Sequence, residues 1–234
     1  MGDGDRTGGG TGPVDDAELL ARLRAAPVLA GPLPEFDPGQ APGTPGPLFA
    51  QWLDRALADG VPEPGVVTLS TAGADGTPSA RVLMLRGIDT SDCAFDFASD
   101  SRSPKGLDLA VNPVAALTWY WPAHGRQIRL AGPVSVRGPE DTRRDFLGRS
   151  ETARAAALVG RVSAPLRDAG EYERAMRVAR EQVAAEPERV PATHALYRLR
   201  AREAEFWQGN PVPFHLRLRY ERDGDGWTRN LLWP

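Results

Sequence analysis

The sequence of 234 residues has one cysteine, Cys93, and three histidines, His124, His194 and His215. A single cysteine excludes an internal disulfide and a cysteine-based zinc site. No two histidines have the spacing of a metal-binding pair, so we expect no metal cofactor. The motifs of serine hydrolases, P-loop proteins and dinucleotide-binding turns are also missing. The candidate chemistry therefore has to come from charged and aromatic side chains.

Long apolar runs are missing as well. No stretch approaches the ~18 consecutive apolar residues of a membrane helix, and no apolar run of a secretory signal follows the first residues. The net charge of -3 and the pI of about 5.7 argue against a nucleic-acid partner, which usually needs a basic face. We therefore expect a cytoplasmic protein with neither a membrane nor a nucleic-acid partner.

Lysine is almost absent, because 27 of the 28 basic residues are arginine and only Lys105 is not. An ammonium group is a compact donor that a guanidinium does not replace. Lys105 is therefore a candidate functional residue, and an ordinary surface charge is the alternative.

Composition divides the chain into an arm and a domain. Residues 1–46 contain 10 Gly and 7 Pro and have an excess of acidic residues. Such a segment buries little apolar surface, so we expect a flexible arm with a short capped helix at residues 15–23. An arm that folds over a site or over a partner subunit is the alternative. The domain is predicted to cover residues 47–234.

Apolar periodicity predicts strands that are mostly joined by short turns. The strands are expected at residues 66–70, 80–87, 94–97, 114–121, 126–136, 196–200, 203–207, 215–221 and 227–232. Helices are expected at residues 48–57, after Pro104, and at residues 139–147, 151–159 and 171–185. Short connections favour antiparallel pairing, so we predict a mainly β (α+β) fold, a small antiparallel barrel with peripheral helices. A doubly wound parallel sheet does not fit this order.

Two groups of residues could bind an anion or a planar ring. Hydroxyls and cations from Ser99 to Lys105 come just before a predicted helix start, which is a natural phosphate site, although a capped, solvated turn is the alternative. His215 and Arg217 share one strand face and follow the aromatic string at residues 205–209, although ordinary barrel wall is the alternative here. Arg81 and Arg86 are five residues apart and should point to opposite faces of their strand.

Several strings carry a resemblance to a known family. They are RVLMLR at 81–86, SPKG at 103–106, NP at 112–113, WYW at 119–121, RQI at 126–128 and EFWQG at 205–209. Together with the order of elements, they resemble the pyridoxamine 5'-phosphate oxidase family of flavoproteins from about residue 47 to the C-terminus. The resemblance implies an FMN-binding split β-barrel that forms a homodimer with FMN at the subunit interface.

The resemblance also implies a set of FMN contacts. Arg81 and Lys105 match residues that hold the FMN phosphate, and Arg217 would stabilise the negative charge that develops on the reduced ring. The full set is Arg81, Val82, Leu83, Met84, Arg86, Ser99, Ser103, Lys105, Gln127, Ser163, Trp207 and Arg217, of which Ser163, Trp207 and Arg217 match contacts from the other subunit. Pro104 and Val162 depart from the family pattern, so we expect FMN binding to survive in a weaker form.

The substrate side departs more strongly from the family. The four positions that hold the substrate phosphate in the family read Arg86, Asp145, Arg149 and Ala153. Asp145 adds a negative charge where a phosphate would lie. Arg86 and Arg149 can still bind a carboxylate, and a solvated charge at a helix end is the alternative for Arg149.

The C-terminal part of the pocket is changed too. An arginine that covers the substrate ring in the family is replaced by Pro213, which is followed by Phe214 and His215. Pro213 and Phe214 make the pocket more apolar and more rigid, while His215 remains as in the family. The substrate-binding candidates are therefore Arg86, Arg149, Pro213, Phe214 and His215.

The resemblance predicts an FMN-dependent oxidase. Hydride would pass from a small, partly reduced ring or an amine to the flavin, and oxygen would reoxidise it. The residues of the rebuilt pocket resemble those of the family branch that acts in phenazine biosynthesis, and they would also suit other enzymes of natural-product biosynthesis. His215 and Arg217 are the catalytic candidates, with His215 orienting substrate or moving a proton, or else only packing. Three alternatives stay open: a pyridoxamine 5'-phosphate oxidase of vitamin B6 metabolism, a non-catalytic flavin-binding protein, and an interaction protein that kept only the barrel.

Overall fold

A computed structural model describes residues 15–211 and 214–234 of the chain. In this part, the strands are β1 (Val66–Ala72), β2 (Pro78–Asp89), β3 (Ala94–Asp100), β4 (Val114–Trp121), β5 (Arg126–Val136), β6 (His194–Arg200), β7 (Glu203–Gln208), β8 (Leu216–Asp223) and β9 (Gly226–Leu231). The α-helices are α1 (Asp16–Ala25), α2 (Pro45–Ala58), α3 (Pro104–Val111), α4 (Pro139–Leu147), α5 (Glu151–Val159) and α6 (Ala169–Ala185). Short 3-10 helices span Pro38–Gln40 and Pro122–His124.

Six strands close into a barrel in which every pair is antiparallel. The ring runs β4-β1-β2-β3-β6-β5 and closes through pairing of β4 with β5, while β7, β8 and β9 extend the sheet from β5. This arrangement confirms the predicted antiparallel barrel with peripheral helices. Closure removes the free edges that an open sheet of six strands would expose.

Strand β5 belongs to both parts of the sheet, because it changes partner along one edge. Arg126 to Ala131 pair with β7, whereas Val134 to Val136 pair with β6. The change falls at Gly132 and Pro133, where the sequence suggests a bulge or an edge. Pairing with β4 on the other side continues in register through both residues, so the irregularity is a change of neighbour.

The barrel core is built mainly from aromatic rings. Phe49 of α2 packs edge-on against Phe95 of β3 at 4.7 Å and against Trp119 of β4 at 5.0 Å between ring centroids. Trp52, one turn further along α2, packs edge-on against Phe206 of β7 at 5.2 Å. Aromatic pairs in this geometry contribute about 0.5–1.5 kcal/mol each beyond their buried area. Helix α2 is therefore anchored to three different strands.

The segment before α2 also contacts the barrel. Phe36 packs edge-on against Trp52 at 5.1 Å, and the Tyr220 hydroxyl donates a hydrogen bond to the Pro42 carbonyl at 2.7 Å. Gly46 is buried at the start of α2, where an added Cβ would lie 1.8 Å from the Thr90 carbonyl oxygen. The packed domain therefore begins before residue 47. The boundary predicted from composition is too late, because the proline- and glycine-rich segment 36–46, here called the strap, packs along the barrel.

The other helices lie outside the barrel. Helix α1 matches the predicted capped helix, and Asp15 accepts a hydrogen bond from the Ala17 N–H at its start. Helices α5 and α6 pack together through a separate small cluster that includes Met176 and Ala179. No helix in the described part of the chain is long and apolar enough to cross a membrane.

Candidate cofactor and substrate site

A cavity of about 730 Å³ lies between the barrel wall and the outer helices. Strands β2 and β3 form its inner side, and α5, α6 and the connection between these helices form its outer side. Arg81 and Lys105 line it, and so do Arg149 and His194. The cavity therefore contains two groups of polar residues that come from distant parts of the sequence.

Lys105 lies at the start of α3, where the local sequence begins a helix in the expected way. Ser103 is the N-cap, and its hydroxyl accepts a hydrogen bond from the Gly106 N–H at 3.3 Å. Pro104 occupies the first turn, where its missing N–H costs nothing. The Lys105 ammonium donates to the Ser103 hydroxyl at 3.3 Å, and Ser99 and Ser103 hydroxyls are 2.9 Å apart. The cap thus holds the lysine and both predicted serines together.

Arg81 reaches the same end of the cavity from β2. Its guanidinium donates to the Thr71 hydroxyl at 2.7 Å and to the Leu69 carbonyl at 3.3 Å. Thr71 in turn donates to the Asp108 carboxylate at 2.6 Å, and that carboxylate stays 3.9 Å from Arg81. The carboxylate nearest to Arg81, that of Asp108, therefore already accepts a hydrogen bond from the Thr71 hydroxyl.

The Arg81–Lys105 end suits a phosphate dianion. Burial lowers the pKa of Lys105, and the positive charge of Arg81 lowers it further. A bound anion would relieve this repulsion and accept charge-assisted hydrogen bonds from both cations. The expected phosphate group of FMN has this charge and these acceptor atoms.

The other end of the cavity contains Arg149 and His194. Arg149 follows α4 and is half-buried, and burial lowers its pKa, with the charge of Arg86 adding to the shift. Arg149 is therefore a cavity residue and not the solvated helix-end charge of the alternative reading. Next to it, the Asp145 carboxylate binds Arg86 at 2.7 Å and His194 at 3.1 Å.

A third group lies on the outer face of the sheet. Gln127, Trp207 and Arg217 are direct cross-strand neighbours on β5, β7 and β8. The His215 ring lies 5.1 Å from the Trp207 ring, and His215 Nδ1 accepts the Asn210 N–H at 3.1 Å. None of these five residues lines the cavity described above. One chain therefore brings the predicted FMN contacts together in two groups and not in one.

Arg217 is paired in a way that the sequence analysis missed. The Glu205 carboxylate accepts hydrogen bonds from its guanidinium at 2.9 and 3.2 Å and lies 3.6 Å from Arg129. The hydrogen bond to Glu205 raises the pKa of Arg217. Alternation along β7 places Glu205 on the same face as Trp207, and this spacing was the available signal.

The other residues that the sequence predicts to contact FMN or the substrate lie at different places in the structure. Arg81 and Arg86 do point to opposite faces of β2, since they sit in alternate positions and have different partners. Val82 and Leu83 line the cavity, and Val82 also shares an exposed face of β2 with Met84. Ser163 has a left-handed backbone, with φ of 58°, between two residues that line the cavity. Phe214 is exposed, and Pro213 lies outside the described residues.

His194 is the main cavity residue that sequence reasoning did not find. Its place at the start of β6, directly after Thr193, gives no motif, and only tertiary contact with α4 reveals it. Among the described residues, no group of three His, Cys, Asp or Glu side chains could hold a metal ion.

The geometry defines an antiparallel split barrel with a cation-lined cavity at its side. A family model described as pyridoxamine 5'-phosphate oxidase matches residues 53–208. A second model, described as the pyridoxine 5'-phosphate oxidase C-terminal dimerisation region, matches residues 194–234. The chain belongs to the pyridoxamine 5'-phosphate oxidase family, as the sequence strings indicate.

Relatives and solved structures agree with this membership. The pyridoxine/pyridoxamine 5'-phosphate oxidase of Bordetella pertussis is 41% identical over 197 residues, which cover 83% of this chain and 91% of the relative. The crystal structure of PhzG from Burkholderia lata, in complex with tetrahydrophenazine-1-carboxylic acid, is 31% identical. It has a TM-score of 0.78 and the match covers 87% of this chain and 100% of that one. A pyridoxamine 5'-phosphate oxidase-related, FMN binding protein of Nostoc punctiforme, 21% identical with a TM-score of 0.64 and coverage of 86% and 100%, shares the fold. Family membership supports assigning the chain to the oxidoreductases.

Proposed function

We propose that the protein is an FMN-dependent oxidase of small, partly reduced ring substrates or amines. The observation that carries the proposal is one cavity with two cations at one end, Arg81 and Lys105, and a further cation, Arg149, at its other end. The first end suits the phosphate of a cofactor, and the second suits the anion of a substrate. Bound FMN would accept a hydride from the substrate and pass the electrons to oxygen, yielding hydrogen peroxide.

The chain's own residues would place both molecules. Arg81 and Lys105 hold the phosphate, while the outer row of Gln127, Trp207 and Arg217 is available to a flavin ring. Because His215 accepts the Asn210 N–H at Nδ1, its neutral ring carries the proton on Nε2 and can donate it to a substrate atom. Arg217 supplies positive charge near the ring, moderated by Glu205.

We also propose a homodimer with each FMN held by both chains. Two observations support it: the match of residues 194–234 to a dimerisation region, and the apolar outer face of β2, where Val82 and Met84 are 64% and 57% exposed. A second chain could cover this face and bring its outer row to the cavity of the first. Trp207 and Arg217 would then contact the flavin from the partner, in agreement with the resemblance, whereas Ser163 lies beside the cavity of its own chain.

The substrate class rests on the pocket and on one relative. PhzG is described with a tetrahydrophenazine carboxylic acid, which is a partly reduced ring acid. In this chain, Arg149 can bind such a carboxylate and Phe214 can lie against a ring. We therefore propose a role in specialised natural-product biosynthesis in the cytoplasm.

An absorbance titration with FMN tests the cofactor assignment. The wild type should show the shifted spectrum of bound flavin, and Lys105→Ala should weaken binding roughly tenfold to a hundredfold, because a hydrogen bond to a charged group contributes about 1.5–3 kcal/mol. Arg55→Ala, which removes an exposed cation of α2, is the matched control and should bind like the wild type. A wild type that binds no FMN would exclude the proposal and leave the barrel as an interaction protein.

A second candidate function is pyridoxamine or pyridoxine 5'-phosphate oxidation, because curated relatives with that name reach 41% identity. Adding either compound to the FMN-loaded protein and measuring pyridoxal phosphate separates the two. We expect little product, since Asp145 stands where the family binds the substrate phosphate. Bound FMN that neither phosphate esters nor dihydro-aromatic acids reduce would indicate a non-catalytic flavin-binding protein.

A further inference from the structure

A buried network around Asp145 adjoins the Arg149 end of the cavity and reaches it through His194, which lines the cavity. The Asp145 carboxylate accepts a hydrogen bond from Arg86 Nε at 2.7 Å and is hydrogen-bonded to His194 Nε2 at 3.1 Å. The side chains of Asp145 and His194 are only 7% and 3% exposed. The Phe146 ring packs edge-on against His194 at 4.9 Å. The carboxylate is therefore fixed from two sides by partners on β2 and β6.

The charges of this network do not balance. Burial acts to raise the pKa of Asp145, but hydrogen bonds from His194 and Arg86 outweigh it and hold the pKa below its usual range. The ionised carboxylate cancels the charge of Arg86 in direct contact. Arg149 lines the cavity and its guanidinium forms no ion pair within residues 15–211 and 214–234. One positive charge is thus left over at this end.

We propose that Asp145 is a specificity-determining residue that makes this end accept a ring carboxylate and reject a ring phosphate. Arg149 binds the single negative charge of a carboxylate. A phosphate ester carries about -1.5 to -2 at neutral pH, and its second charge would be repelled by the buried Asp145 carboxylate behind Arg149, with Arg86 already neutralised. His194 is a positioning residue that holds Asp145 in place. This inference rests on the proposed function, because it assigns the opposite end to the FMN phosphate.

The test compares two ligands that differ only in the anion, 1-naphthoate and 1-naphthyl phosphate. Each is titrated into the FMN-loaded full chain, and naphthalene fluorescence reports binding without turnover. The wild type should prefer 1-naphthoate. In Asp145→Asn, which keeps the shape and removes the charge, the phosphate-to-carboxylate affinity ratio should rise at least about tenfold.

Matched variants separate this effect from a general change of charge. Asp141→Asn removes the same charge from α4, but Asp141 pairs with Arg137 and Arg144, neither of which lines the cavity, so the ratio should stay at the wild-type value. Arg86→Gln should act in the opposite direction, because it leaves Asp145 without its cation, and this keeps the test valid if Asp145→Asn does not fold. His194→Gln should retain the wild-type ratio through its amide donor, whereas His194→Phe should move it toward that of Asp145→Asn.

The proposal is wrong if Asp145→Asn leaves the ratio unchanged, if Asp141→Asn changes it equally, or if the wild type prefers 1-naphthyl phosphate. Failure of the proposed function gives a different result, namely no flavin spectrum. In that case, the change in ratio between the wild type and Asp145→Asn, measured without FMN, still decides the role of Asp145.

Discussion

Gly132 lies where β5 leaves one neighbour for another, and we predict that Gly132→Ala destabilises the protein. An added Cβ would lie 2.1 Å from the Arg200 carbonyl oxygen and 3.0 Å from the Arg202 nitrogen. Both are backbone atoms, so no side-chain rotation can make room. Arg202 N also donates to the Ala131 carbonyl at 2.8 Å, next to the substituted residue. The strands must therefore separate, and this hydrogen bond must lengthen.

The magnitude follows from these two effects. Overpacking costs about 1–3 kcal/mol and a weakened hydrogen bond about 1 kcal/mol, so unfolding free energy should fall by about 2–4 kcal/mol. For a chain of this size, we expect the Tm to drop by roughly 4–16 °C. Thermal unfolding followed by circular dichroism measures it. Gly65→Ala is the control, because no atom lies within 4 Å of its added Cβ. Equal Tm values for the two variants would refute this reasoning.

Three further predictions concern single groups. Hydrogen bonds from Arg102 are the main cause that lowers the pKa of Asp100 to about 2. Asp100 therefore stabilises the fold above its unfolded pKa near 4, and this contribution is lost as the pH falls toward 2. Asp100→Asn should flatten that part of a curve of Tm against pH. Burial raises the pKa of the Cys93 thiol to about 12, so a thiol reagent should react at mildly alkaline pH only after denaturant is added, and fast reaction of the native protein would contradict this. Tyr220→Phe removes the hydrogen bond to the Pro42 carbonyl and should cost about 0.5–1.5 kcal/mol in urea unfolding, whereas an unchanged midpoint would show that the strap is not held there.

Apolar periodicity and turn residues were sufficient to predict most of the helices and strands. The limits expected for β4 and β5 agree with the structure, because each is a long alternating run that ends in proline, glycine or charge. The closing contact between β4 and β5 also follows from their short connection. The partner change of β5 at Gly132 could not be predicted, since it depends on where β6 and β7 arrive from distant sequence.

The candidate site was predicted unevenly for a related reason. Lys105 could be found from sequence, because it is unique in composition and stands at a helix start. Asp145 was expected to repel a phosphate, but its bonds to Arg86 and His194 join residues up to 59 positions apart. Similarly, the sequence shows Glu205 only as the first residue of the string at 205–209. Its pairing with Arg217 depends on the register between β7 and β8. Pairwise electrostatics of this kind needs the folded chain.

The lone lysine has a practical consequence for chemical labelling. The chain carries a single side-chain amine, and the pKa of that amine is lowered by burial and by Arg81. At mildly alkaline pH, a larger share of it is therefore the uncharged nucleophile than for a lysine in water. An acylating reagent would then add one group to a side chain besides the group on the N-terminal amine, and mass spectrometry of the peptide that contains Lys105 would count the former as a single step. A molecule seated between Arg81 and Lys105 would block that step, so site occupancy could be read from mass alone, without colour and without turnover.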